Sequence, residues 1–354
     1  MWQWLWLIIP LAVNSPFVIA SPVSSTSVGP TSAEEASVLF EEGQKSFHDE
    51  SYQTVIDDLQ RLVDRYPAAP GYLAAHRMLG IAYLNLGKFK RALTPLKYYV
   101  QTAGNSTAGL ETRLWLGAAY LGLGQSNDAY LCAAEIINRL EKEEDRKKIT
   151  PVGQLRDIQI QALLLKADAL LMQDHSERAI RAMTSAEQLI SPDSPALLQA
   201  YLARVQLEIK TGECSRFSKT GPLEELQVKN QMERKGTCLL QAAMIYHDTL
   251  KTGEKKWSAV ATQDLKAALK NYSLSCAHPP RPPGKRTQLE LRRYTAELAE
   301  LLRPECERNH TKLKELLNTW KQELPTQVTY YISTLYDSRP IPDKTDASRS
   351  DSKK

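Results

Sequence analysis

The chain has 354 residues, 24% of them charged and 42% in the hydrophobic set, the balance of an ordinary folded protein. Its 45 lysines and arginines face 41 aspartates and glutamates, a net charge of +4. That surplus excludes a chain-wide nucleic-acid footprint, and the length suffices for one large core or for a long stack of small units.

The chain opens MWQWLWLII and reaches Val18-Ile19-Ala20 before Ser21 and Pro22. An apolar run that closes on small or branched residues suits signal peptidase, so residues 1–20 are expected to be a signal peptide cleaved after Ala20. The run lacks a basic leader, and Pro10, Asn14 and Pro16 interrupt it. A membrane span needs roughly 20 continuous apolar residues, so the mature chain is expected to hold no transmembrane segment. Residues 21–33 (SPVSSTSVGPTSA) have no periodicity and are expected to be a disordered linker.

From residue 34 onward apolar positions recur at three- and four-residue steps, and strand-like alternation is absent, which predicts an all-α chain. Within it a longer period appears. Leu79-Gly80-x-x-Tyr83 is followed by Leu86-Gly87 and then Ala92-x-x-x-Leu96. Leu116-Gly117-x-x-Tyr120 is followed by Leu123-Gly124 and then Ala129-x-x-x-Ala133. Gly43, Gly80 and Gly117 stand 37 residues apart, and Ala167 with Ala179 repeats the twelve-residue step from Gly80 to Ala92. The first small residue lets two helices cross closely. Gly87 and Gly124 end the first helix, because glycine accepts positive φ cheaply. Pro67 stops a second helix.

These residues resemble the tetratricopeptide-repeat family, whose unit of about 34 residues follows W-x2-L-G-x2-Y, then A-x3-F, then P. The resemblance covers residues 34–193 as four helical pairs. It departs from the pattern in lacking the Trp and in an insertion near residues 144–157, since Gly117 to Ala167 is 50. It implies a tetratricopeptide-like helical-repeat superhelix, an α-solenoid, whose first helices line a concave groove. The corresponding positions are Phe40, Gln44, Phe47, Arg77, Ile81, Leu84, Asn85, Leu114, Ala118, Leu121, Leu164, Asp168 and Leu171. So apolar a groove suits an amphipathic helix or an extended peptide. The same side chains would serve equally as packing between neighbouring helices, or as a seat for the C-terminal helices. The Lys/Arg clamp by which chaperone-binding members read acidic peptide ends is not evident.

Residues 194–275 read as divergent helical-repeat units. Lys210-Thr211-Gly212-Glu213 recurs as Lys251-Thr252-Gly253-Glu254, each after an apolar helical stretch, with Cys214 to Pro222 standing where a second helix is expected. Residues 276–338 are expected to form a C-terminal cap after a proline-rich break. Its two helices would run from Lys285 to Leu302 and from Pro304 to Leu324. Residues 339–354 are expected to be a disordered tail. Of the five cysteines, the pairs nearest in sequence are Cys214 with Cys238 and Cys276 with Cys306, each closing a loop worth about 3 kcal/mol if oxidised. Spacing does not fix the pairing. Cys132 reads as a small buried hydrophobe.

No zinc helix, phosphate loop, dinucleotide turn or nucleophile elbow is present. The six histidines stand at no ligand spacing, and the acidic runs read as solvated helix ends. No catalytic residue, cofactor or metal is therefore expected. Asn105, Asn271 and Asn309 open glycosylation sequons placed in or beside loops or helix ends. The expected function is a non-enzymatic scaffold or adaptor, exported to the periplasm or a secretory space, that binds a protein or peptide partner and no nucleic acid. Cell-envelope assembly or secretion is the setting by analogy. One alternative is a lumenal or extracellular co-chaperone. Another is an enzyme or regulatory subunit using Tyr246, His247, Asp248, Trp257, His278 and Arg281, and a third is a structural protein that assembles end to end.

Overall fold

The computed structural model describes residues 30–335 apart from 105, 143–151, 192, 217–224, 279–286 and 325. The expected signal peptide, most of the expected linker and the expected tail lie outside the described residues. Among those residues the protein is an all-α helical-repeat solenoid of thirteen helices without a strand. It divides into two compact units, one ending at Ser194 and the other beginning at Pro195.

The first unit contains α1 (Pro30–His48), α2 (Tyr52–Arg65), α3 (Tyr72–Asn85), α4 (Phe89–Ala103), α5 (Thr107–Gly122), α6 (Ser126–Glu141), α7 (Val152–Met172) and α8 (Ser176–Leu189). Each helix packs on the next, and α1, α3, α5 and α7 also touch one another in a row flanked by the even-numbered helices. Sequence explains the two roles. α3 and α5 are apolar on every side, and residues 75–84 and 112–119 are buried without a break. α2 is one-sided, burying Val55, Ile56, Leu59 and Leu62.

Four equivalent turns close the pairs. The amides of Ser51, Lys88, Gln125 and His175 donate to the carbonyls of Ser46, Tyr83, Tyr120 and Leu170 at 2.8, 2.8, 2.8 and 2.9 Å. This 6→1 bond needs a left-handed residue just before the donor. Those residues are Glu50, Gly87, Gly124 and Asp174, with φ of 56°, 68°, 74° and 59°. The expected close crossings are also present. A methyl group on Gly43 would overlap Leu59, one on Gly80 would overlap Leu96, and one on Gly117 would meet Leu165 and Cys132.

The second unit contains α9 (Ala196–Arg216), α10 (Glu225–Lys251), α11 (Lys255–Ala277), α12 (Gln288–Glu323) and α13 (Thr326–Leu335). One core gathers Leu207, Leu239, Tyr246, Leu265, Leu298, Trp320 and Ile332 from all five helices. Cys214 is joined to Cys238 and Cys276 to Cys306, with Cα atoms 5.6 and 6.3 Å apart. Cys132 is free.

Several expectations are corrected. α1 starts at Pro30, so the last four residues expected as linker are helical; proline fits a first turn, where its missing N–H has no partner to lose. α7 starts at Val152, inside the expected insertion. The two Lys-Thr-Gly-Glu segments differ. Residues 210–213 continue α9, whereas in the second copy Lys251 ends α10 and residues 252–254 form a turn with Gly253 at φ 71°. Burial of Cys214 and its bond to Cys238 hold the first copy in the helix. Finally, α12 runs unbroken through Pro304, where two helices were expected. Leu298, Leu302, Cys306, Asn309, Leu313 and Leu317 lie buried along one face on both sides of the proline, and that burial outweighs a local cost of about 3 kcal/mol.

Candidate functional site

The first-helix positions expected to line a groove fall into two groups. Ile81, Leu84, Leu114, Ala118, Leu121 and Leu164 are buried at 3% exposure or less, so they are core of the protein itself. Phe40, Gln44, Phe47, Asn85, Asp168 and Leu171 are half-buried and retain surface. Even these are held from within. The Phe40 ring lies over Gly71, Phe47 packs edge-on against Tyr52, and Asn85 donates to the Ile81 carbonyl at 2.9 Å.

The basic member of the set is neutralised. Arg77, 4% exposed, donates from Nη2 to Glu111 Oε2 at 2.7 Å, tying α3 to α5. A guanidinium this buried needs such a partner, so it is not available to capture a ligand carboxylate. Two residues further along α5, Arg113 meets Glu135 of α6 at 2.6 Å, and Arg139 shares the same carboxylate oxygen at 2.6 Å. Burial pulls the Arg113 pKa down, Glu135 opposing it in part. The same surroundings push the Cys132 thiol up to about 12, chiefly by desolvation, so it is no nucleophile. His76 is also buried, with no hydrogen-bond partner on either ring nitrogen. It lies 4.8 Å from the ring of Tyr72 and 4.3 Å from that of Tyr98. Burial depresses its pKa. Tyr83 Oη donates to Gln60 at 3.2 Å, and at the equivalent place Lys97 stands over the Tyr120 ring at 5.4 Å.

The second-half residues considered for chemistry take separate partners. Tyr246 Oη and Thr262 Oγ1 share a buried hydrogen bond of 3.0 Å. His247 stacks on Trp320 at 4.4 Å, Asp248 pairs on the surface with Lys251, and Trp257 stacks on Tyr201 at 4.4 Å. His278 is exposed at the end of α11, and Arg281 lies outside the described residues.

Sequence reading missed the most polar buried cluster, between α10, α11 and α12. Lys235, 3% exposed, donates from Nζ to Ser275 Oγ at 2.6 Å and approaches the Asn271 carbonyl at 3.5 Å. Beside it Asn309 Nδ2 donates to Tyr272 Oη and to Glu305 Oε1, both at 2.9 Å. Burial lowers the Lys235 pKa. An amine beside a hydroxyl suggests a base and a nucleophile. Here, however, Ser275 already gives its proton to the Asn271 carbonyl at 2.8 Å, and the ammonium faces the carboxyl end of α11, where the helix dipole favours it. The cluster is a satisfied structural node. The available signal was positional, since Val228, Met232, Lys235, Leu239, Ala242 and Tyr246 share one buried face of α10. The node also corrects the sequon reading. Asn309 lies in mid-helix with its amide engaged and cannot carry a glycan in this fold, and Asn271 lies within α11, exposed.

Among the described residues no group of three or more His, Cys, Asp or Glu could hold a metal ion. No helix among them is long and apolar enough to cross a membrane. No family model matches the chain, and no curated protein matches it.

Proposed function

We propose that the chain is an exported, non-enzymatic scaffold of tetratricopeptide type that binds a peptide or helix of a partner protein. The observation that carries this reading is the set of four turns with one hydrogen-bond pattern and one left-handed position, at Glu50, Gly87, Gly124 and Asp174. A fold repeated in that register stacks helical pairs and leaves an extended surface, which is what such arrays use for binding. Two buried cysteine pairs at bonding distance support an oxidising compartment, hence export with cleavage after Ala20. The setting proposed is periplasmic or secretory, in envelope assembly or secretion, and rests on analogy of fold.

The binding positions assigned are the half-buried ones, Phe40, Gln44, Phe47, Asn85, Asp168 and Leu171. The buried Leu84 and Leu121 are poor probes, because a charge there would unfold the unit. The test is affinity capture from the native exported fraction, with the mature chain and with a Gln44→Arg, Asn85→Arg, Asp168→Arg variant as baits. A partner captured by the first bait and lost by the second, with circular dichroism unchanged, is the expected result. A partner captured equally by both overturns the assignment to the first helices.

A further inference from the structure

The second helical pair differs from the first in charge. From Pro30 to Arg65 there are nine acidic residues and three basic ones. From Arg65 to Leu110, a stretch of 46 residues, there is no aspartate or glutamate at all, and six lysines and arginines. At the chain's average of 41 acidic residues in 354, a stretch that long would hold about five. Arg77 is buried against Glu111, and Lys88 donates to the neutral Gln53 at 3.0 Å. The others are not used up in this way.

The surplus collects on one stripe of α4. Among its exposed positions are Lys90, Arg91, Thr94, Lys97, Tyr98 and Gln101, at steps that keep them on one face over about 16 Å of helix. Among the described residues neither Lys90 nor Arg91 forms an ion pair. Two side chains of the stripe are held in place by aromatic contacts. The Tyr98 ring, 40% exposed, packs against Tyr72 and His76, and Lys97 stands over Tyr120. Ordering an aromatic and a cation in advance lowers the entropy lost on binding.

We infer that the exposed face of α4 is a second interaction surface, on a flanking helix and independent of the first-helix positions, that docks an acidic segment of a partner protein. The complementarity is of charge, with Tyr98 offering a ring against the apolar stems of the acidic side chains. Three cations and one ring over this length match a short acidic peptide, whereas a nucleic acid is expected to draw on a longer basic track.

The test uses the full mature chain and a fluorescein-labelled oligoglutamate peptide, followed by anisotropy. Comparison ligands are an oligolysine peptide of the same length, a single-stranded oligonucleotide of the same charge, and vesicles containing an anionic lipid. The expected result is saturable binding of oligoglutamate that weakens with added salt. It should fall about tenfold or more in a Lys90→Glu, Arg91→Glu, Lys97→Glu variant with unchanged circular dichroism. A Lys229→Glu, Arg292→Glu, Lys312→Glu variant makes the same charge change on exposed positions of the second unit and should bind within about twofold of the parent. Equal losses in the two variants would mean a net-charge effect and would overturn the site. So would absence of oligoglutamate binding. Tighter binding of the oligonucleotide or the vesicles through the same three residues would overturn the partner class.

Discussion

At the scale of single residues, the left-handed turn positions divide into two kinds. Gly87 and Gly124 adopt positive φ without steric cost, whereas Glu50 and Asp174 carry a side chain into it. Aspartate tolerates that region better than glutamate, because its short side chain can bond locally. Glu50→Gly is therefore expected to raise the unfolding free energy by about 1 kcal/mol and Asp174→Gly by less, read from urea midpoints at constant slope. A loss in both variants would mean that the side chains, not the backbone, hold those turns. The buried histidines give a pH dependence of defined sign. Burial lowers the folded-state pKa of His76, and burial with Lys251 lowers that of His247 against Asp248 and Glu323. Above the unfolded value of about 6.5 both states are neutral and the term is constant. As pH falls below it, the unfolded chain takes up protons that the folded chain refuses, and stability drops until the folded pKa is passed. His76→Phe is expected to flatten this loss between about pH 6.5 and pH 5.

At the scale of helices and their crossings, the decisive contacts are small residues facing leucine. A side chain at Gly80 would occupy the volume of Leu96. Gly80→Leu is expected to cost about 3 kcal/mol, the upper end for overpacking, with Gly43→Leu similar because Leu59 repeats the arrangement. A neutral result at either position, in chemical denaturation, would mean that these helices can part without loss. Such features were readable in advance, because glycine at a fixed spacing has few uses in a helix. The turns at Glu50 and Asp174 left no glycine to find, and only the backbone shows that they equal Gly87 and Gly124. Pro304 and the two Lys-Thr-Gly-Glu segments misled for another reason. Local propensity is worth a few kcal/mol at most, and a continuous buried face or a cystine cross-link settles the matter from a distance.

At the scale of the whole molecule, the division of the candidate groove was not readable at all. α3 and α5 are apolar all round, so periodicity cannot say which of their positions meet solvent, and Leu84 and Leu121 turn out to be core. Nor could spacing join Arg77 to Glu111, which meet only because α3 and α5 lie side by side. What the cysteine positions do permit is a prediction that separates the two units. Both cystines lie in the second unit, one tying α9 to α10 and the other α11 to α12. They close loops with sequence separations of 24 and 30, each worth about 3 kcal/mol through the unfolded chain. All four sulfurs are buried, so reduction needs denaturant or prior opening. After reduction and refolding with the thiols blocked, residues 195–335 are expected to exchange amide hydrogens faster. Residues 30–194, whose single free thiol on Cys132 takes part in no cross-link, are expected to keep their exchange rates. Acceleration confined to the second unit would show that its helices depend on the cystines in a way the repeated pairs do not. Equal acceleration in both units would show that the chain unfolds as one body despite its two cores.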